Sequence, residues 1–136
     1  MMDAPALMSA AIEARKKAYT PYSGFAVGAA LLDANGKVFT GCNVENAAYT
    51  PTNCAERTAF FKAVSEGSRR FVAIAVVGGA ADRPRARRVT PCGVCRQVMA
   101  EFCDADFLIL TGTSPEDYQT DRLGDLLPQS FGPQSL

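Results

Sequence analysis

The chain contains no histidine among its 136 residues. That absence removes Ser-His and Cys-His nucleophiles, a histidine general base and every zinc site built on imidazole. Any metal must be held by sulfur and oxygen. Proton transfer near neutral pH falls to a carboxylate, Lys, Cys or Tyr whose pKa the fold has moved. Net charge is also missing, because 14 basic and 14 acidic side chains cancel. Nothing then pulls the protein toward nucleic acid or an anionic membrane, and a small uncharged ligand is the better match. No apolar run approaches the ~18 residues of a membrane span. The opening MMDAPALMSA carries Asp3 in place of the basic start of a secretory signal. A cytoplasmic protein is expected, with no internal repeat, low-complexity segment or long linker.

What is present suits one compact domain over residues 1–136, with 48% hydrophobic and 21% charged residues. Cysteines number five, an odd count, and two of them form a C-x-x-C pair. In a reducing compartment that favours metal or redox chemistry over a disulfide framework.

Periodicity predicts an amphipathic helix from Ala4 to Tyr19. Leu7, Ala11, Ala14 and Ala18 form its stripe, Met8 and Ile12 lie beside it, and Thr20-Pro21 stops it. Phe25–Leu32 and Val38–Val44 read as strands joined by an Asn35-Gly36 hairpin turn. Gly28 and Gly41 within them mark either a close approach of another segment or a bulge. A helix over Cys54–Ser65 buries Ala55, Ala59, Phe60, Ala63 and Val64 and stops at Gly67. Phe71–Val77 and Phe107–Thr111 have the unbroken hydrophobicity of strands covered on both faces. Between them, Gly78–Thr90 reads as a loop, and a second helix starts at Pro91 with Val94, Val98, Met99 and Phe102 as its stripe. A polar stretch and a short helical turn around Asp121–Leu127 follow. A hairpin demands antiparallel pairing and a strand-helix-strand unit demands parallel pairing. The expected fold class is therefore α/β, with three layers (α/β/α) around a mixed sheet of about five strands.

Two stretches carry the chemistry, NVENAAYTPTNCAER (43–57) and PCGVC (91–95), and both bear cysteine where a helix begins. A helix N-terminus offers free N–H groups and partial positive charge, which stabilise a thiolate. Cys54, Cys92 and Cys95 can thus converge on one ion, and soft sulfur donors favour Zn2+, one per chain. Three protein ligands leave the open fourth position of a catalytic site. Three thiolates on a dication leave one negative charge, which the helix ends and Arg57, hydrogen-bonding the sulfurs, would offset. Glu56 would stand beside the open position and move protons. C-x-x-C by itself is equally a structural zinc knuckle or a redox pair; the Cys-x-Glu ahead of it favours catalysis. Cys42 and Cys103 read as buried free thiols. Arg83, Arg85, Arg87 and Arg88 could bind phosphate, but without interleaved aromatics they read as a solvated loop, so nucleic acid is not an expected partner.

Cys54-Ala55-Glu56 followed by Pro91-Cys92-Gly93-Val94-Cys95 matches the three-cysteine variant of the zinc-deaminase signature. The chain resembles the small homotetrameric cytidine deaminases nearly end to end, through AYTPYSGFAVGAALL, GCNVENAAYTPTNCAERTAFFKAVSEG, PCGVCRQV and the terminal LLPQSF. That resemblance implies hydrolytic deamination of cytidine and deoxycytidine, with Glu56 as the proton carrier. It also implies roles for substrate-binding residues. Asn43 and Glu45 would bond the ribose hydroxyls, Phe25 would pack on the pyrimidine, and the Ala55 N–H would help fix the base. Tyr49 and Phe131 would reach into a neighbouring subunit's site. Ordinary packing remains the alternative for Phe25, Tyr49 and Phe131, and a turn or cap role for Asn43 and Glu45. Two other readings stay open: a deaminase of the same fold acting on another cytosine nucleoside such as an antibiotic, and a zinc-stabilised RNA-binding module without activity. The arginines before Pro91 depart from the family pattern.

Overall fold

The computed structural model describes residues 2–83 and 87–136, so Arg85 lies outside the described residues. Its centre is a five-stranded mixed sheet in the order β2-β1-β3-β4-β5. The strands are β1 (Phe25–Asp33), β2 (Val38–Cys42), β3 (Phe71–Ala80), β4 (Leu108–Gly112) and β5 (Tyr118–Arg122). β3 and β4 run parallel, Ala73 facing Leu108, and every other pair is antiparallel. Helix α1 (Ala4–Arg15) covers one face through Leu7, Met8 and Ala11 against Ala30, Ala73, Ala75 and Val77. Helices α2 (Ala55–Ser65) and α3 (Gly93–Phe102) cover the other, packing Ala59, Phe60 and Met99 onto Leu31, Ile74, Val76 and Ile109. The three-layer α/β/α arrangement expected from the pattern is present.

Local chemistry accounts for most of these elements. Asp3 caps α1 by accepting the Ala6 N–H at 3.0 Å. Gly36 turns the hairpin at φ +87, as an Asn-Gly pair permits. The two strand glycines mark close approaches. A Cβ on Gly28 would stand 2.1 Å from the Ala11 carbonyl oxygen, and one on Gly41 2.5 Å from that of Ala55. The missing side chains let α1 lie directly on β1 and α2 directly on β2, and this seats the start of α2 over the sheet edge. Phe60 is fully buried against Phe71, Phe102 and Phe107, locking α2 to α3 and β3. Such burial contributes about 2–3 kcal/mol.

The structure departs from the pattern at four places. Helix α1 ends at Arg15 rather than near Tyr19. Tyr19 is drawn into extended pairing, donating to Asn43 O at 3.0 Å and accepting from Glu45 N at 2.9 Å. β3 runs on through Ala80, because Gly78, Gly79 and Ala80 pair with Val27, Ala26 and Phe25. β5 appears where the pattern gives a polar stretch and the start of a helical turn at Asp121, and the turn itself is helical only over Leu123–Leu126. β5 is an edge strand whose residues are mostly exposed, so it carries no apolar alternation, and β4 alone recruits it. On α3 the buried face is Cys95 and Met99, whereas Val94 is 58% exposed. A helical i, i+4 pair shares one face, and orienting Cys95 inward turns Val94 out.

Asp33 closes the hairpin from within. Its Oδ1 accepts the Asn35 and Lys37 N–H groups, each at 2.9 Å, and its Oδ2 accepts the Ser68 hydroxyl at 2.9 Å. Burial alone would raise this carboxyl, but the bonds from Lys37, Ser68 and Asn35 together with the Lys37 charge hold it below the ordinary aspartate value. A depressed folded pKa contributes stability that is fully present above the unfolded pKa, near 3.9, and is lost as pH falls through the folded value. Asp33→Ala should therefore cost about 1–2 kcal/mol in urea unfolding at pH 7. The gap to wild type should close as the pH drops below about 4.

Candidate active site and metal centre

Cys54 and Cys92 are the N-cap residues of α2 and α3, with extended ψ of 155° and 166° and no side-chain cap bond of their own. Their thiols face each other instead. Cys54 Sγ lies 3.8 Å from Cys92 Sγ, Cys92 Sγ lies 3.5 Å from Cys95 Sγ, and all three sulfurs fall within 4.8 Å of one another. A tetrahedral ion with Zn–S bonds of about 2.3 Å has sulfur–sulfur edges of about 3.8 Å, so the cluster has the dimensions of a zinc site. Among the described residues no fourth His, Cys, Asp or Glu joins it. Cys95 is buried and Cys92 exposed, so the cluster reaches from the core to the surface.

The electrostatics favour the charged form at Cys54, while the hydrogen bond to Cys54 and burial push the neighbouring Cys95 thiol up. The Cys95 thiol, with Arg57 assisting, holds Cys54 below the ordinary thiol value despite burial. Arg57 Nη2 donates to Cys54 Sγ at 3.2 Å, and its Nε is buried with no partner on the protein. An unpaired guanidinium N–H beside three sulfurs fits a centre carrying one excess negative charge. Beside the cluster sits Glu56, 5% exposed in the first turn of α2. Burial raises its carboxyl to about 7, with the Cys54 charge adding to the rise and Arg57 opposing it.

These groups form the floor of a cavity of about 330 Å³. Cys54, Ala55, Glu56 and Cys92 line its base, Phe25, Val27, Val76 and Val89 its apolar walls, and Asn43, Asn53 and Thr90 contribute polar atoms. A mostly apolar cleft with a few convergent polar groups is the form of a small-molecule site. Gly78 makes the wall possible. A Cβ there would meet Val89 Cγ2 at 2.8 Å and Phe25 Cε2 at 3.1 Å.

The structure therefore brings together Phe25, Asn43, Cys54, Ala55, Glu56, Arg57, Cys92 and Cys95, as the motifs suggest. Asn43 also has a structural task. Its Nδ2 donates to Phe25 O and its Oδ1 accepts from Val27 N, both at 2.8 Å, leaving one amide hydrogen and one lone pair for a ligand. Glu45 faces the Tyr22-Ser23 turn, accepting both backbone N–H groups and the Ser23 hydroxyl, and it does not line the cavity. The Ser23 hydroxyl above all holds its carboxyl below the ordinary value. Tyr49 and Phe131 are 71% and 62% exposed and line no part of their own chain's cavity. Tyr49 holds φ +62, an uncommon strain for a tyrosine. Sequence reasoning missed Ser23, Val27, Thr52, Asn53, Val76, Val89 and Thr90 in the lining. The sequence places Gly78 at the head of a loop, so the close approach it permits shows only once β3 runs on through it.

Three thiolates, an open position and a buried carboxyl on an α/β/α frame are the parts of a zinc-dependent hydrolytic enzyme. Residues 1–111 match the family model described as the cytidine and deoxycytidylate deaminase zinc-binding region. The cytidine deaminase of Halalkalibacterium halodurans is 53% identical over 135 residues, spanning 99% of this chain and 98% of that protein. That of Sporosarcina psychrophila is 48% identical over 99% of this chain and 96% of its own length. The crystal structure of the Burkholderia pseudomallei cytidine deaminase superposes with a TM-score of 0.83 at 50% identity, covering 93% of this chain and 97% of that one. The Mycobacterium tuberculosis cytidine deaminase gives 0.81 at 43%, covering 97% and 99%. The chain belongs to the cytidine and deoxycytidylate deaminase family, and its cofactor is zinc, one per chain.

Proposed function

We propose that this chain, as a single catalytic domain over residues 1–136, hydrolyses the exocyclic amine of cytidine and 2′-deoxycytidine, giving the uridines and ammonia. The observation that carries the reading is Glu56, a buried carboxyl pushed up to about 7 beside a three-cysteine cluster at the base of a small cavity. A carboxyl poised near neutrality can both accept and return a proton. Relatives that are cytidine deaminases over nearly their whole length support the substrate class.

Cys54, Cys92 and Cys95 would hold the zinc, which when bound supplies a Lewis acid that acidifies water at its open position. Glu56 accepts one proton from the attacking water and delivers it to the ring nitrogen next to carbon 4. As the carbon–oxygen bond forms, the amine becomes the group to expel. Glu56 then carries the remaining hydroxyl proton to the amine, the carbon–nitrogen bond breaks, and ammonia leaves. Both protons of the water are accounted for. Arg57 stabilises the thiolate charge through Cys54. Phe25 packs against the pyrimidine, the Ala55 N–H fixes the base, and Asn43 offers its spare amide hydrogen to a ribose hydroxyl. Glu45 serves the ribose only if it leaves the Tyr22-Ser23 turn or shares an oxygen with it.

Tyr49 and Phe131 we assign to a neighbouring subunit's site within a homotetramer. Their exposure and the strained Tyr49 backbone support that assignment. Among the described residues no helix is long and apolar enough to cross a membrane. We place the protein in the cytoplasm, where free thiols persist. The zinc-loaded protein should consume cytidine and release one ammonia per uridine formed, followed by ultraviolet absorbance and an ammonia assay. Uridine appearing without ammonia, or no turnover on either nucleoside, would overturn the activity.

A further inference from the structure

Of the four arginines between β3 and α3 that the sequence reads as solvated, Arg87 and Arg88 are exposed as expected, yet each also makes a specific contact. Arg87 donates its backbone N–H to Gly78 O at 3.1 Å, and its guanidinium stands 6.0 Å from the Phe25 ring centroid. Arg88 reaches across the sheet instead. Its Nε donates to Thr111 Oγ1 on β4 at 2.9 Å and its Nη2 to Asp121 Oδ2 on β5 at 3.1 Å. Thr111 is completely buried, so Arg88 gives an enclosed hydroxyl its hydrogen-bond partner. A charged donor on a buried acceptor is worth more than a surface ion pair, and removing it strands the acceptor.

The residues that follow Arg88 explain why this matters. Val89 and Thr90 line the cavity, and Val89 packs over Gly78 beside Phe25. Pro91 and Cys92 come next, and Arg96 Nε binds the Pro91 carbonyl at 2.8 Å. The loop is thus held at both ends, by Arg88 on β4 and β5 and by Arg96 on α3. Its middle forms the apolar wall opposite the start of α2.

We propose that Arg88 is a positioning residue for substrate binding. Through Thr111 and Asp121 it fixes the height of the Val89-Thr90 wall above the cavity floor. β5, an edge strand, acquires a function by carrying Asp121 as the anchor. The proposal rests on the nucleoside reading only in naming the ligand, because the loop's placement can be measured without it.

The test compares Arg88→Met, Arg88→Lys and Asp121→Asn in the zinc-loaded protein. Arg69→Met serves as a control, since among the described residues Arg69 binds only the Val64 and Ser68 carbonyls. Arg88→Met should raise KM for cytidine about tenfold with kcat within about twofold, because the lost contact acts on binding. The uridine Kd measured by calorimetry should weaken in step, with zinc still at one per chain. Arg88→Lys, which keeps a charge for Asp121, should recover part of the loss. Adding Asp121→Asn to Arg88→Met should cost nothing further, since the shared interaction is already gone. Amide hydrogen exchange over residues 87–92 should quicken in Arg88→Met and not in Arg69→Met.

Unchanged KM and uridine affinity with only a lower melting temperature would overturn the proposal, and so would fully additive effects. Should Arg88→Met fail to fold, Asp121→Asn must still raise KM about two- to threefold, and an unaltered KM there counts against Arg88. Wild-type protein inactive on cytidine would sink the activity, while the exchange comparison still decides the role of Arg88.

Discussion

Glu56→Gln keeps its zinc and loses at least about a thousandfold in kcat, while KM for cytidine changes little. Glutamine matches glutamate in shape but neither accepts nor releases a proton near neutrality. Glu56 is the carboxyl the site offers for two transfers, from water to ring nitrogen and from the resulting hydroxyl to the amine. One group serving two steps places its loss in the upper part of, or beyond, the ~10²–10⁴ typical of a single acid–base contact. The metal cluster should survive, because Cys54 at the cap of α2 is held by its own helix end and by Arg57 at 3.2 Å, not by Glu56. Metal analysis and steady-state kinetics on the same preparation give both numbers. Turnover within tenfold of wild type would remove Glu56 from the reaction.

Loss of a ligand has a different signature. Cys95→Ala should leave less than about 0.1 zinc per chain, abolish turnover and lower the thermal midpoint. A ligand present at a thousand times its Kd adds about 4 kcal/mol to folding, and the apo protein forgoes that. Cys95 is 1% exposed within the core shared by Phe60 and Met99, so the alanine also leaves a small void. Chelation of the wild type separates the two causes, since it removes zinc without the void. The chelated protein should melt between wild type and Cys95→Ala, and added zinc should restore only the wild type. Cys103→Ser supplies the comparison. Its sulfur lies outside the Cys54, Cys92 and Cys95 cluster, so the variant should retain full zinc. Calorimetry with metal analysis on the four samples distinguishes the outcomes. A Cys95→Ala protein still holding one zinc would break the ligand assignment.

The amino-acid sequence alone determined the parts whose signals are local. With no histidine available, only sulfur and oxygen could hold a metal, and the Cys-x-Glu and C-x-x-C spacing pointed to sulfur. The spacing of Cys54, Glu56, Cys92 and Cys95 puts each at the start of a helix, where backbone N–H groups favour the charged sulfur. Asn35-Gly36 specified the hairpin, and the apolar runs specified the central strands. Tertiary structure decided what depends on partners far along the chain. β5 has no apolar pattern of its own and exists because β4 pairs with it. The last residues of β3 are strand because β1 lies beside them, and α1 stops short because Val44 captures Tyr19. The same holds at the site. Glu45 turns to the Tyr22-Ser23 backbone, and Arg88 finds Asp121 33 residues away. For a long polar side chain, solvent and several distant acceptors are near-equal choices until the fold removes all but one. The cysteines had no such freedom, because each is short and sits beside a helix end.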